Sequence, residues 1–360
     1  MAMSALAMIL VVVTSPGASS DDESPILALG GLDPVALVAG KEVAGAPGRS
    51  VTVGKYRYLF ESDESRRIFE TDRDSYRIQL AGSCARMGLL TGLGDPRRFT
   101  VHDKRIYLFA SDACRSAFEK EPGRYLEATI KAPAGSPTDA MRGRELLTKA
   151  VEAIGGADRL RELERLTIET KHQYGSGTSV TEGEHTTTMI FPDSYRVEED
   201  WGTSRYADAT DGKRGMRYGR ETFEMEVAEV EHLVRQCAQQ PLMILRASIT
   251  PSSGLAAFAR GIEEHEGREV QLVEVWWQGA ATVLGLDESH RVVFARVAEA
   301  KQARTTQRET RFGDFRDVEG FSLPFEIKAL VDGKPVDQPK VVVKGYRPSD
   351  DTSTTLFVEP

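Results

Sequence analysis

The chain has 360 residues, of which 40% are hydrophobic and 28% are charged, a composition typical of a soluble globular protein. Its length exceeds the roughly 250–300 residues that one hydrophobic core usually serves, so we expect two domains. The formal net charge of −9 argues against nucleic acid or anionic lipid as the main partner, because both require a basic surface.

The N-terminus has features of a secretion signal. The apolar run Ala5–Val13 is too short to span a bilayer, and the small residues that follow it suit a signal peptidase. Met1–Ser4 carries no Lys or Arg, and a buried N-terminal strand is the alternative interpretation. The pattern favours a periplasmic or secreted protein in which residues 1–24 are a signal peptide with a disordered lead-in. No later segment is long and apolar enough to predict a transmembrane span.

The first third of the chain contains an internal repeat. Lys55–Tyr76 and Lys104–Tyr125 share Lys, Tyr-Leu-Phe, Ser-Asp, Arg, Phe-Glu and a final Tyr. Each copy predicts a strand, a capped turn and a short amphipathic helix with one buried aromatic residue. The expected N-cap and aromatic residues are Ser62 with Phe69, and Ser111 with Phe118. We place this first domain at residues 26–130 and a Pro/Gly/Ser-rich linker at residues 131–137.

The second domain, residues 138–360, begins with helices and continues mainly as strands. Helical spacing predicts helices over Met141–Ile154, Ala157–Leu163 and Val227–Arg246, the last broken at Pro241. Period-two alternation predicts strands over the following segments: Leu166–Gln173, Glu182–Phe191, Ser194–Glu199, Arg205–Asp208, Gly215–Tyr218, Glu221–Glu226, Gly254–Phe258, Glu263–His265, Arg268–Trp277, Ala281–Asp287, Val292–Ala298, Arg304–Phe315, Phe321–Val331 and Lys340–Gly345. The predicted class is α+β, with a large curved antiparallel sheet or open β-barrel capped by helices.

The first domain resembles the YHS domain group, in the form found in secreted bacterial proteins. The matching elements are Asp33-Pro34-Val35-Ala36, the strand and helix of Lys55–Tyr76, Gly82-Ser83-Cys84-Ala85, and Gly94-Asp95-Pro96. The resemblance implies a small α+β domain. Related cysteine-bearing domains are associated with heavy metals and supply a Cys-x-x-x-Cys pair at the end of the strand. This chain has Ala110 and Cys114 at those positions.

The resemblance therefore implies a candidate Cu or Zn site formed by Cys84 and Cys114, with His102 as a third ligand. A thiolate site requires three or four converging ligands, and one is missing here. Two alternatives remain open for the cysteines. In the first, Cys84 and Cys114 are simply small buried hydrophobic residues. In the second, Cys84 and Cys114 pair as a disulfide and leave Cys237 free.

The second domain resembles the outer-membrane lipoprotein-sorting family (LolA/LolB-like). The resemblance rests on the order of several short motifs: Ala153–Leu160, Phe191–Arg196, Asp211-Gly212, Asp314–Gly320 with Leu323-Pro324, and Phe357–Pro360. It implies an open, curved antiparallel sheet whose concave, apolar face is covered by helices. Carrier members of the family hold acyl chains there.

If that fold holds, apolar residues of the strands line a ligand cavity. The candidates are Met189, Phe191, Met216, Tyr218, Phe223, Met225, Trp276, Leu284, Leu286, Phe294, Phe312 and Phe325. Methionine and aromatic side chains suit a cavity for flexible chains, although the same residues would also pack a filled core. A shift of one residue in strand register would invert the assignment.

No pattern for catalysis is present. The histidines after residue 170 are scattered, and the sequence has no metalloprotease, nucleophile-elbow or phosphate-loop motif. We expect a non-enzymatic envelope protein without a resident cofactor that holds a lipid, an acyl chain or another hydrophobic small molecule in its second domain. The alternatives are metal binding by the first domain and a protein–protein interaction module with an envelope partner.

Overall fold

The computed structural model describes residues 25–88, 93–126, 135–176, 179–219, 222–301, 304–336, 339–350 and 356–358. The predicted signal peptide and most of the predicted linker lie outside these ranges. The described part is rich in strands, with large antiparallel sheets and fewer helices, as the α+β prediction requires. No helix within these ranges combines the length and the apolar character needed to cross a bilayer.

The N-terminal part, residues 25–126, contains two small sheets and short helices. Its strands are β1 (Ile26–Leu27), β2 (Ala46–Val53), β3 (Tyr56–Phe60), β4 (Asp95–His102) and β5 (Arg105–Phe109). Its helices are α1 (Pro34–Val38), α2 (Asp63–Thr71), α3 (Arg73–Tyr76) and α4 (Asp112–Lys120). β1, β3 and β2 form one sheet, and β4 pairs with β5 in the other.

The helices of the repeat begin where the sequence predicts. The Ser62 side chain accepts a hydrogen bond from the Ser65 amide at 3.1 Å, and Ser111 accepts one from the Cys114 amide at 3.2 Å. Each bond satisfies a backbone donor that has no partner within the helix. Phe69 and Phe118 are fully buried, which anchors α2 and α4 to their sheets.

The C-terminal part, residues 135–358, contains four helices among the described residues: α5 (Pro137–Ile154), α6 (Ala157–Glu162), α7 (Val227–Ala238) and α8 (Pro241–Ser248). Its strands form two seven-stranded antiparallel sheets. The first sheet contains, in spatial order, β11 (Phe223–Glu224), β10 (Gly215–Tyr218), β9 (Arg205–Thr210), β8 (Ser194–Asp200), β7 (Ser179–Ile190), β6 (Arg165–Ser176) and β19 (Lys340–Ser349). The second contains β12 (Ala256–His265), β13 (Arg268–Trp277), β14 (Ala280–Leu286), β15 (Val292–Lys301), β16 (Arg304–Val318), β17 (Phe321–Val331) and β18 (Lys334–Pro335).

The two sheets meet along β17 and β19, where the Tyr346 hydroxyl donates a hydrogen bond to the Pro324 carbonyl. α5, α7 and α8 cover the side of the sheets that carries the main hydrophobic core. α5 approaches β12 closely because Gly143 has no side chain: a Cβ there would lie 2.7 Å from the Ala257 carbonyl. The helix α5 therefore packs directly against β12.

Candidate functional site

A partly open apolar cavity of about 80 Å³ remains between α5, α8 and the sheets. From the helices it is lined by Ala150, Ala153, Ile154, Leu242 and Leu245. From the strands its apolar lining consists of Leu166, Ile168, Met189, Val292, Phe312, Phe315, Leu323, Pro324 and Ile327. The small side chains of Ala150 and Ala153 leave this space, because larger residues at these positions of α5 would fill it.

α8 carries one polar side chain into the cavity wall. Gln240 is the N-cap of α8, yet its side chain makes no capping hydrogen bond, and Pro241 occupies the first helical position. Gln240 is 4% exposed, and its side-chain nitrogen has no hydrogen-bond partner among the described residues. A buried donor without an acceptor destabilises the folded protein by about 1–3 kcal/mol. An acceptor oxygen of a ligand that bonds to this amide would therefore bind favourably.

Arg291 lines the cavity next to Phe315. Its Nε and Nη2 atoms donate to Asp287 Oδ2 at 3.0 and 2.8 Å, and its guanidinium lies 4.9 Å from the centre of the Phe315 ring. Asp287 also accepts bonds from the backbone amides of Ser289 and Arg291, which fixes the β14–β15 turn. The arginine charge is therefore held in place and already paired with a carboxylate.

Of the residues predicted to form the cavity, the structure places Met189 and Phe312 in this lining. Phe191, Met225, Leu284 and Leu286 are instead buried in the core under the helices. Phe325 is outside the lining. Its ring packs against that of Tyr346, which does line the cavity, with 5.4 Å between the ring centres.

The other five predicted residues also lie outside this cavity. Met216 and Tyr218 pack on Ala207 and Ala209, and Phe223 lies beside the Arg217 guanidinium. Trp276 donates to Glu274, while its neighbours Val275 and Trp277 belong to the core. Phe294 pairs with Gly285 rather than with Leu284, so its ring covers the opposite face of the sheet.

The three predicted metal ligands do not converge. All three cysteines are buried free thiols, and the described residues contain no group of three His, Cys, Asp or Glu side chains arranged to hold a metal ion. The His102 ring packs edge-on against Phe118, with 5.8 Å between ring centres, and its Nε2 lies 3.4 Å from Asp103. The Cu or Zn site therefore still lacks its third ligand in the structure.

A second polar group lies on the helix-facing side of β6, β7 and β8. His172 and His185 are stacked, and Glu199 Oε1 approaches His185 Nδ1 to 3.9 Å, too long for a hydrogen bond. Glu199 accepts a bond from Trp201 Nε1 at 3.0 Å. The Trp201 indole covers these residues by lying across Gly183, where a Cβ would come within 2.6 Å of the ring.

Burial controls the charge of this group. It lowers the pKa of His172 to about 2, with a smaller contribution from His185, and lowers the pKa of His185 to about 4. It raises the pKa of Glu199 to about 7. Both imidazoles are therefore neutral at neutral pH. The two histidines are separated in the sequence, and the pairing of β6 with β7 brings them together.

Comparisons with known proteins give similarities of structure but not of sequence. No protein-family model matches the chain, and no curated protein matches it. Similar solved structures include a LolA-superfamily protein from Nitrosomonas europaea, with 11% identity and a TM-score of 0.41 over 60% of this chain and 97% of that one.

Two further structures cover 60% of this chain with TM-scores of 0.40. One is a putative outer membrane lipoprotein-sorting protein domain from Vibrio parahaemolyticus, at 8% identity and 94% coverage of that chain. The other is a DUF1329-family protein from Desulfovibrio piger, at 11% identity and 95% coverage. The YHS-like resemblance of the first domain has no counterpart among these structures and stays a prediction.

Proposed function

We propose that the C-terminal part of the protein binds the apolar chain of an amphipathic ligand, such as a lipid or acylated molecule, between α5, α8 and the two sheets. The observation that supports this is the cavity under α8, whose wall is apolar except for Gln240, Arg291 and a few hydroxyl groups. In this proposal the protein is a non-enzymatic binding protein of the cell envelope, and its two seven-stranded sheets together provide the open, curved surface expected for the family that the motifs resemble.

The size of the cavity implies that the helical cover moves when a ligand enters. Pockets that hold drug-sized molecules usually measure about 300–1,000 Å³, and this cavity measures about 80 Å³. Each buried methylene contributes about 0.8 kcal/mol, whereas micromolar binding requires about 8 kcal/mol. The present space therefore accepts only the end of a chain. A tighter complex requires α8 to separate from α5.

The polar groups of the wall suggest where the ligand's acceptor oxygen would lie. Arg291 is already paired with Asp287, so it gains little from a further anion. Within the described part of the chain the Gln240 amide nitrogen has no acceptor, and an ester, amide or carboxylate oxygen of a ligand would supply one. The proposed ligand therefore combines an apolar chain with a carbonyl-type oxygen close to its buried end.

The test uses the full chain and a fluorescent fatty acid that carries a dansyl group. Ala153→Trp introduces a large side chain into the cavity from a partly exposed position of α5. We expect it to weaken binding of the probe by at least about tenfold, or ~1.4 kcal/mol. Ala140→Trp, at a partly exposed position of the same helix outside the cavity, is the matched control. Absence of probe binding to the wild-type protein, or equal binding by both variants, would contradict the proposal.

A further inference from the structure

The N-terminal part is a structural repeat that extends well beyond the two similar sequence segments. In the first copy, the pairing of β2 with β3 runs from Ala46–Phe60 across a bulge to Ser50–Leu59. In the second copy, β4 and β5 pair at Asp95–Phe109 and, after a bulge at the same place, at Phe99–Leu108. The segments before them also correspond, because the bridges Leu32–Ala44 and Ser83–Leu93 occupy equivalent positions.

This correspondence relates two buried pairs of side chains. Asp33 and Cys84 each follow the equivalent bridge residue, and Ser65 and Cys114 are each the third residue of the helix that follows the strand pair. In the first copy the pair is in direct contact, since the Ser65 hydroxyl donates to Asp33 Oδ2 at 2.5 Å. The second copy therefore has a pair of thiols where the first has a hydrogen-bonded hydroxyl and carboxylate.

Cys84 and Cys114 likewise belong to one buried cluster. Hydrogen bonding with the Cys84 side chain is one of the effects that lower the pKa of Cys114. Cys84 is 0% exposed, whereas Cys114 is 7% exposed, so a reagent from solvent reaches Cys114 first. The exposed Arg86 places its Nη1 atom 3.7 Å from the Cys114 sulfur.

The surroundings of Cys114 favour its ionised form. Burial alone would raise the pKa of Cys114, but hydrogen bonds with Ser111, Arg86 and Cys84 hold it below the usual value of a thiol. The thiolate is the form that attacks disulfides. Cys237 has the opposite surroundings, because complete burial raises the pKa of its thiol.

We propose that Cys84 and Cys114 form a redox-active dithiol, in which Cys114 attacks a disulfide and Cys84 resolves the product. The Cys114 thiolate attacks one sulfur of the external disulfide and displaces the other sulfur as a thiolate. Cys84 then releases its proton to solvent, attacks the Cys114 sulfur and displaces the second thiolate. The net products are a Cys84–Cys114 disulfide and two external thiols, so two electrons pass to the external disulfide. This proposal does not depend on ligand binding in the C-terminal part.

The first experiment treats the reduced full-length protein with glutathione disulfide and identifies the products by mass spectrometry of unreduced peptides. The wild-type protein should yield a peptide linked through Cys84 and Cys114. Cys84→Ser should stop at a glutathione adduct on Cys114, and Cys114→Ser should leave Cys84 unmodified. Cys237→Ser is the matched control and should react like the wild type. A wild type that stays reduced, or a bond that includes Cys237, would overturn the proposal.

The second experiment tests the role of Arg86 by measuring how fast iodoacetamide alkylates Cys114 in the Cys84→Ser background. Arg86→Gln should slow alkylation severalfold, and Arg86→Lys should restore part of the rate. Arg115→Gln removes the same charge from the outer side of α4, where Arg115 approaches Asp112, and should leave the rate unchanged. Equal rates in Arg86→Gln and Arg115→Gln would remove Arg86 from the proposed site. Circular dichroism of each variant separates a slower reaction from a loss of folding.

Discussion

His172 and His185 lie face to face on the neighbouring strands β6 and β7, with ring centres 3.7 Å apart and ring planes inclined by 11°. Both are almost completely buried, and His172 Nε2 is 3.0 Å from the Thr170 hydroxyl. Neither nitrogen of His185 has a hydrogen-bond partner among the described residues. A positive charge on either buried ring would be desolvated and close to the other ring, so the stack tolerates burial only while both rings are neutral.

This stack predicts that the two histidines make the protein less stable in mild acid. Histidine in the unfolded chain titrates near pH 6.5, whereas burial lowers the pKa of His185 to about 4 and that of His172 to about 2. Below pH 6.5 these two histidines therefore bind more protons in the unfolded chain than in the folded protein, and their contribution to the free energy of unfolding falls as the pH decreases. Each histidine contributes up to about 1.4 kcal/mol per pH unit down to its folded pKa.

Urea unfolding at a series of pH values between 7.5 and about 4.5 measures this loss. His172→Phe keeps a ring beside His185 and should reduce the slope by close to one proton. Proton NMR of the wild type provides a separate check. Imidazole signals from both buried residues that titrate near pH 6.5 in the folded protein would be incompatible with the stack.

Glu199 predicts a pH dependence of the opposite sign. Burial raises the pKa of Glu199 to about 7, above the 4.5 of an ordinary glutamate, so the folded protein holds this proton between pH 4.5 and 7. The stability that this carboxyl group contributes is present below pH 4.5 and is lost as the pH rises through 7. Glu199→Gln should therefore be more stable than the wild type above pH 7, because its amide oxygen still accepts the Trp201 bond without a charge.

The measurement is the difference in free energy of unfolding between Glu199→Gln and the wild type at pH 5 and pH 8, where we expect the larger gain at pH 8. Glu198→Gln is the matched control, since this neighbour lies on the other face of β8 and pairs with Arg196. A difference that does not change with pH would show that Glu199 is already ionised throughout this range.

Local features of the chain are predictable from sequence because they depend on neighbouring residues. Ser62 and Ser111 cap their helices as the repeat indicates, and the break in the helical segment at Pro241 follows from the missing amide of proline. The helix α5 ends before Gly155, whose φ of +146° is a backbone conformation that favours glycine. In each case one residue type decides the local geometry.

The cavity and the histidine stack are not predictable in the same way, because both depend on register between distant strands. A bulge between Gly285 and Leu286 shifts the register of β14 against β15. Phe294 therefore pairs with Gly285 rather than with Leu284, and the side chains of Phe294 and Leu284 lie on opposite faces of the sheet. The equivalence of Asp33–Ser65 with Cys84–Cys114 was hidden for another reason. The sequence repeat aligns Ser65 with Cys114, but Asp33 and Cys84 lie outside the similar segments and are aligned only by the bridges Leu32–Ala44 and Ser83–Leu93.

Arg217 predicts a large loss of stability on substitution. It donates to both oxygens of Asp208 at 2.8 and 2.7 Å and to Glu229 at 2.9 Å, and both carboxylates are buried. Arg217→Met would leave two buried carboxylates without their cation, which costs about 3–5 kcal/mol. Chemical unfolding should show this loss. Arg205→Met, which breaks an exposed pair with Asp200, should cost about 1 kcal/mol or less. Similar losses in both variants would contradict the buried network.

Gly143 predicts that a helix-favouring substitution is harmful. Alanine is a better helix former than glycine by about 1 kcal/mol. The new Cβ, however, would lie 2.7 Å from the backbone of Ala257 and Phe258 and would push α5 away from β12. We expect Gly143→Ala to lower the free energy of unfolding by about 1–3 kcal/mol in urea. Thr148→Ala, at an exposed position of the same helix, is the control and should be close to neutral or stabilising. A Gly143→Ala variant that is more stable than the wild type would mean that α5 does not touch β12.

Gln240 connects stability with the proposed binding function. Its buried side-chain nitrogen has no hydrogen-bond partner among the residues that the structure describes, and its side chain does not cap α8. Replacing it with leucine therefore removes an unsatisfied donor without removing a cap. We expect Gln240→Leu to raise the free energy of unfolding of the ligand-free protein by about 1 kcal/mol. The same variant should bind the dansyl fatty acid more weakly, because the ligand oxygen loses its donor. Gln239→Leu, which changes the preceding and less buried residue, is the control for both measurements.

A gain in stability together with a loss of binding is the result that distinguishes a binding group from a packing residue. A packing role predicts that stability and binding change in the same direction. If Gln240→Leu is destabilised, the amide has a partner in solution, and the cavity wall is then satisfied without a ligand. If the variant is stabilised and binds the probe as tightly as the wild type, the ligand contacts the apolar wall alone. Only a gain in stability together with weaker probe binding supports the interpretation that the Gln240 amide lowers the stability of the free protein and contributes to ligand binding.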